Sequence, residues 1–199
     1  IGQACTAANR ILVQSDVVDE FSRRVTERVA AMKMGRGTEE GVQIGPLVDD
    51  KAVAGSHELV EDAVARGATV TTGGQIPDRA GSFYPATVLT GVTAGTRLLS
   101  EEIFGPVLAI VPFGTEDEAV ELANATEYGL VSYVYTQDLN RGMRMIDRLE
   151  TGMMGLNAGV ISNAAAPFGG VKQSGIGREG SLEGIDEYLT TKYTFIPKT

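Results

Sequence analysis

Cys5 is the only thiol in the chain and lies in the run Gly2-Gln3-Ala4-Cys5-Thr6-Ala7-Ala8-Asn9. A lone cysteine either packs as a small hydrophobe or acts as a nucleophile. The small neighbours of Cys5 leave room for a bound substrate. A helix beginning at Thr6 to Arg10 would favour the thiolate through its positive end. A cysteine hydrolase or acyltransferase is the rival chemistry, and it requires an imidazole within reach of the sulfur. The one candidate is His57, beside Glu58 in a helical stretch, where it reads as a solvated surface residue.

A second group is Glu101-Glu102-Ile103-Phe104-Gly105-Pro106. These residues read either as a helix end and turn with solvent-facing acids, or as a sugar-binding carboxylate beside an aromatic that packs on a flat heterocycle. Taken alone they leave both open. Gly175-Ile176-Gly177-Arg178-Glu179-Gly180 matches G-x-G-x-x-G literally. The dinucleotide fingerprint, however, needs a strand directly before it and an acid ~20 positions later. Lys172-Gln173-Ser174 are no strand, so these glycines read as shaping a loop.

The elements that must position these groups alternate in type. Ile11 to Val13 reads as a strand, and Ser15 or Asp16 as the cap of a helix with Val18, Phe21, Val25, Val29 and Met32 on its apolar face, ended by Gly35 and Gly37. Asp49 would cap a second helix carrying Val53, Val60, Ala63 and Val64, closed by Gly67. Strands follow at Ala68 to Thr71, within Phe83 to Val92, and at Val107 to Phe113, whose continuous apolar run suits a strand covered on both faces. Thr115 and Glu118 form a capping-box pattern for a third helix. A strand at Val131 to Thr136, a helix from Asp138 with Met145, Ile146 and Leu149 inward, and a strand at Met153 to Leu156 precede a long loop, Asn157 to Gly180. Tyr188 to Ile196 reads as an exposed terminal strand. The expected fold is α/β, an open and largely parallel twisted sheet with flanking helices, in one undivided domain.

Composition bounds the function. Seventeen Lys and Arg against 26 Asp and Glu give a net charge of −9, which argues against nucleic-acid or anionic-membrane partners. No stretch approaches the ~18 apolar residues of a membrane span. One cysteine and one histidine argue against a disulfide framework or a metal site. Glycine numbers 25 of 199, well above the ~7% average, so tight turns or close backbone approaches are expected. The start at Ile1, without initiator methionine or signal-type stretch, reads as an interior cut in a longer cytoplasmic protein.

Gly2-Gln3-Ala4-Cys5, Glu101 to Val107, and Pro167-Phe168-Gly169-Gly170-Val171-Lys172-Gln173-Ser174-Gly175 resemble, in order and spacing, three signature segments of the aldehyde dehydrogenase superfamily. The resemblance covers essentially the whole chain. Gly159 to Asn163 leading into Ala166-Pro167-Phe168, with Gly177 to Ser181, looks most like the succinate-semialdehyde dehydrogenases.

This resemblance implies that Cys5 is the nucleophile, forming a thiohemiacetal and then a thioester, with its own backbone N–H donating to the oxyanion. It implies that Glu102 holds the nicotinamide ribose of NAD or NADP, with Phe104 beside it. Phe168 would line the substrate tunnel, and Ser162 would contact the distal carboxylate of the aldehyde substrate. Residues 1–187 would form the catalytic domain, and 188–199 an oligomerisation strand of a homo-oligomer, a dimer or tetramer. Ala7 stands where some relatives carry a second cysteine, so an internal redox disulfide is not expected. The family's cofactor domain, glutamate base and asparagine oxyanion donor precede the nucleophile, so this stretch by itself is expected to be inactive. Another semialdehyde dehydrogenase, or a non-catalytic binding or oligomerisation module of the same fold, are the alternatives.

Overall fold

The computed structural model describes residues 1–198. The chain forms two compact units, Ile1–Ala123 and Asn124–Thr199. Their boundary falls in the last turn of a helix, with no Pro- or Gly-rich linker to mark it, so the sequence reads as undivided there.

The first unit is built on four strands and two long helices. They are β1 (Ile11–Gln14), α1 (Val18–Ala30), α2 (Asp50–Ala65), β2 (Thr69–Thr72), β3 (Thr87–Thr90) and β4 (Val107–Phe113), with α3 (Glu116–Asn124) closing the unit. The sheet order is β1-β4-β3-β2. β4 pairs in parallel with both β1 and β3, with Ile11 opposite Ile110 and Thr87 opposite Val107, while β2 adds antiparallel to β3 as an edge. The result is the expected open, largely parallel α/β sheet, mixed at one edge.

β4 explains why its sequence is apolar throughout. Val107, Ala109 and Val111 pack on one face with Val53, Val60 and Ala63 of α2, and Ile110 packs on the other with Val29 of α1. Successive side chains point to opposite faces, so a strand covered by helices on both must be apolar at nearly every position.

The helix starts follow local chemistry. The Asp49 carboxylate accepts from the Ala52 N–H, and Asp138 does the same for Arg141. Ser15 and Asp16 do not cap α1. Its cap position is Val17, without a side-chain bond, and the Ser15 hydroxyl donates instead to the Phe113 carbonyl, tying β1 to the end of β4. At α3 the Glu118 N–H donates to Thr115 Oγ1 as expected, but the Glu118 carboxylate accepts from Gly114, one residue beyond the usual box. Phe21 and Met32 remain 37% and 38% exposed, so the buried stripe of α1 is narrower than its sequence suggests.

The second unit contains β5 (Tyr128–Gly129), β6 (Val131–Val134), α4 (Leu139–Arg148), β7 (Met153–Leu156) and β8 (Val171–Lys172). β6 and β7 pair in parallel, and β5 pairs antiparallel with β8, a short strand inside the expected loop. Met145 of α4 is buried, but Ile146 is 48% exposed, which corrects its inward assignment. Lys172 lies in β8, contrary to the expectation that no strand precedes the glycines of Gly175 to Gly180. The turn at Gln173 and Ser174 nonetheless separates that strand from Gly175, and only a short 3-10 helix at Glu183–Tyr188 follows, so Gly175 to Gly180 shape a loop. The expected strand at Tyr188 to Ile196 pairs with no strand among the described residues; Tyr188, Tyr193, Phe195 and Ile196 are all more than two-thirds exposed. Among the described residues no helix is long and apolar enough to cross a membrane.

Candidate functional site

Cys5 lies exposed on a turn closed by the Ala7 N–H donating to the Ala4 carbonyl. No helix begins at Thr6 to Arg10, so the helix expected after the thiol is absent. The turn is instead fixed at both ends to the segment that carries the paired acids.

On the C-terminal side, the Asn9 carboxamide makes three bonds to that segment's backbone. Its Nδ2 donates to the Leu98 carbonyl (2.8 Å) and the Glu101 carbonyl (3.0 Å), and its Oδ1 accepts from the Ile103 N–H (2.9 Å). The next residue, Arg10, donates to the Leu122 and Ala123 carbonyls. Burial lowers the Arg10 pKa from its ordinary value.

On the N-terminal side, Gly2 adopts φ +78°, and a Cβ there would stand 2.1 Å from the Gly105 carbonyl oxygen. Only glycine permits both the dihedral and the approach. Gln3 Oε1 accepts from the Val48 N–H just before α2, joining the same turn to a third segment.

The two adjacent acids are not equivalent. Arg97 grips Glu101 through both carboxylate oxygens (2.6 and 2.9 Å) and also reaches Glu58 at 2.6 Å. The guanidinium holds the Glu101 carboxyl below its usual range. The backbone N–H of Arg97 donates to Asp62, which lowers that carboxyl as well. Glu102 makes no ion pair or side-chain hydrogen bond among the described residues and is exposed. Its sequence neighbour is committed to structure, which leaves Glu102 as the available acceptor.

Phe104 has φ +46°, a left-handed conformation that is costly for a bulky side chain, and its ring is 41% exposed. It is held there because Ile103 is fixed by Asn9 on one side, while Gly105 is buried on the other against Ser56, whose Oγ lies 2.2 Å from where a Gly105 Cβ would be. Glu102, Phe104, Gln3, Val48, Ala52 and Ser56 are among the residues lining a shallow concavity of about 250 Å³. Ser56 Oγ is buried and has no hydrogen-bond partner among the described residues.

A cofactor ribose needs an unengaged acceptor for its hydroxyls and an apolar wall, and Glu102 and Phe104 fit that requirement, whereas the Ser56 hydroxyl is covered by Gly105 and is not open to a ligand.

His57 is not a solvated residue. Its side chain is only 20% exposed; Nδ1 lies 3.2 Å from the Tyr84 hydroxyl and Nε2 lies 3.6 Å from Glu61. Burial pushes the Tyr84 phenol up to about 12. The imidazole is thus engaged with groups other than a thiol.

In the second unit, Ser162 is exposed on the loop after β7. Phe168 is half-buried and bridges Glu179 through a reciprocal pair of backbone bonds, both 2.7 Å. Arg178 steadies this loop by donating to the carbonyls of Gly170, Ile176 and Gly177. Glu102 and Phe104 therefore share one concavity whose segment is bonded to the Cys5 turn, and Ser162 and Phe168 share one loop. Sequence reasoning missed Asn9, Arg97 and Ser56. For Arg97 a signal existed, its four-residue spacing to Glu101; Asn9 bonds only backbone atoms roughly 90 residues away, and nothing local announces that.

Residues 1–194 match the family model described as the aldehyde dehydrogenase family. The chain belongs to the aldehyde dehydrogenase family. This aldehyde dehydrogenase chain is 53% identical to a succinate-semialdehyde dehydrogenase of Paenarthrobacter nicotinovorans, over 97% of its own length and 43% of the relative's. It superposes with a TM-score of 0.94 on the crystal structure of an NADP-dependent enzyme of Escherichia coli, at 44% identity, covering 97% of this chain and 40% of that one. It also superposes with a TM-score of 0.91 on betaine aldehyde dehydrogenase of Staphylococcus aureus in complex with NAD+, at 39% identity, covering 96% of this chain and 39% of that one. The chain thus spans about two-fifths of the length of the relatives it matches.

The Gly2 contact is testable. Gly2→Ala in the full-length protein forces a Cβ onto the Gly105 carbonyl, so the Cys5 turn or the 101–105 segment must move. Amide hydrogen exchange over residues 101–105 is expected to rise about tenfold, as befits the loss of one or two tight contacts. Unchanged exchange there would show that the approach constrains neither segment.

Proposed function

We propose that the full-length protein carrying this chain oxidises an aldehyde to a carboxylic acid with NAD or NADP, and that succinate semialdehyde is its substrate. The observation that carries this reading is the exposed Cys5 thiol on a turn bonded to the segment of the unpaired Glu102 and the exposed Phe104. The Cys5 thiolate attacks the aldehyde carbon, forming a C–S bond and leaving negative charge on oxygen, to which the Cys5 backbone N–H donates. Bound nicotinamide supplies a hydride acceptor. The thioester left on Cys5 is hydrolysed by water, releasing the acid and restoring the thiol. Glu102 accepts from the ribose hydroxyls, and the Phe104 ring packs beside that ribose. Phe168 lines the substrate path.

Family membership and the 53% identity to a succinate-semialdehyde dehydrogenase support the substrate assignment. The engagement of His57 with Tyr84 and Glu61 weighs against the cysteine hydrolase, which would need that imidazole at the sulfur.

Cys5→Ser in the full-length protein is expected to lower kcat by more than about 10³-fold, because a serine hydroxyl is far less ionised than a thiol near neutral pH and an ester is hydrolysed less readily than a thioester. Residues 1–199 alone are expected to reduce cofactor no faster than their Cys5→Ala form. Normal turnover by Cys5→Ser would remove Cys5 from the mechanism.

Ser162 contributes a hydroxyl to the distal carboxylate of the substrate. Ser162→Ala should raise KM for succinate semialdehyde about fivefold, as expected for one hydrogen bond to a charged group, while leaving KM for an uncharged aldehyde of similar length within about twofold. Equal changes for both aldehydes would contradict a carboxylate contact.

Tyr188, Leu189, Tyr193, Phe195 and Ile196 are exposed, and residues 188–196 pair with no strand among the described residues, which supports a role as an oligomerisation strand. Removal of residues 189–199 from the full-length protein is expected to reduce its oligomer size in analytical ultracentrifugation; an unchanged sedimentation coefficient per subunit mass would rule the segment out.

A further inference from the structure

We propose that Asn9 is a positioning residue, whose carboxamide fixes the backbone on both sides of Glu102 and thereby sets where the carboxylate and the Phe104 ring stand relative to the Cys5 turn. The inference rests on the assignment of Glu102 to cofactor binding. Asn9 uses both amide hydrogens and one lone pair on a single stretch of chain, at Leu98, Glu101 and Ile103. Glu101 immediately precedes Glu102, and Ile103 lies between Glu102 and Phe104. Two of the three contacted residues, Leu98 and Ile103, are buried, at 0% and 7% exposure. Leaving their backbone groups unpaired would therefore carry the desolvation cost of a buried polar group.

The residue type is specific to the task. Serine is too short and has one donor; aspartate keeps the acceptor for Ile103 but has no donor and would set a charge against two carbonyl oxygens. Arg10, immediately beyond Asn9, anchors the chain to Leu122 and Ala123, so the carboxamide is presented from a fixed base. The clasp also accounts for the left-handed Phe104. With φ at +46° that residue keeps its conformation only while both flanks are held, and Asn9 holds the Ile103 flank. Without the clasp, Phe104 can relax toward an ordinary φ, which turns its ring and shifts Glu102 together.

The test uses the full-length protein with Asn9→Asp, Asn9→Ser, Glu102→Gln and the Asn9→Ser/Glu102→Gln pair. Each Asn9 variant should raise the KM for the nicotinamide cofactor about tenfold while the aldehyde KM stays within about twofold. The loss in the paired variant should fall well short of the product of the two single losses, because the clasp acts in large part through Glu102 and only the displacement of the Phe104 ring is left once that carboxylate is gone. Amide exchange over residues 98–105, measured without cofactor, should rise about tenfold in either Asn9 variant. Losses that multiply in the paired variant, or a lowered melting temperature with an unchanged cofactor KM, would overturn the proposal. If Glu102→Gln itself leaves the cofactor KM unchanged, the assignment of Glu102 fails. Exchange over 98–105 then decides the clasp: faster exchange upholds it and unchanged exchange refutes it. Should Asn9→Asp fail to fold, Asn9→Ser carries every comparison.

Discussion

Between 89 and 94 residues of chain separate Asn9 from the three backbone groups it binds, and no strand pairing joins the two segments directly. The turn bearing Cys5 precedes β1, and the acid-bearing segment precedes β4, the strand that pairs in parallel with β1. Parallel pairing brings the residues before both strands to the same end of the sheet. The sheet thus delivers the two loops to each other's neighbourhood, but the β1–β4 pairing begins only at Ile11 and Ile110. Closing the remaining gap falls to side chains and to one pair of glycines, Gly2 and Gly105. The local glycine requirement and the Asn9 bonds are two halves of the same constraint.

That constraint orders the electrostatics as well. Of the two adjacent carboxylates Glu101 is engaged and Glu102 is left open, because the Arg97 guanidinium occupies Glu101 and Glu58 while its backbone N–H occupies Asp62. These are exposed ion pairs, and each contributes little to stability. Their consequence is geometric: Arg97 opens the short 3-10 turn that carries Leu98, so the same residue that engages Glu101 also fixes the approach to the Asn9 clasp.

Much of the fold was legible because it rests on local rules. Asp49 and Asp138 stand where the sequence starts its helices and do cap them, and the continuous apolar run of Val107 to Phe113 suits the strand it forms, covered by helices on both faces through Val111. The failures share a different cause. Ser15 has cap chemistry, but a carbonyl at the end of a neighbouring strand claims its hydroxyl. A helix after Cys5 is compatible with Thr6 to Arg10, yet Asn9 and Arg10 are drawn to partners far along the chain. His57 stands in a polar stretch and still packs on Tyr84. In each case a long-range contact overrode a local preference. The site divides in the same way: Cys5, Glu102 and Phe104 belong to recognisable motifs, whereas Asn9 and Ser56 matter through backbone atoms and burial, which leave no pattern in a single sequence.

The central claim is that the thiol presented by this clasped turn forms the covalent bond to substrate. It is tested most directly by rapid acid quench of the full-length protein during turnover with succinate semialdehyde and cofactor, followed by peptide mass mapping. The account predicts a succinyl group on the peptide containing Cys5, lost on treatment with hydroxylamine as a thioester should be. Sustained turnover with no acyl group on Cys5, or with the acyl group on another residue, would contradict it.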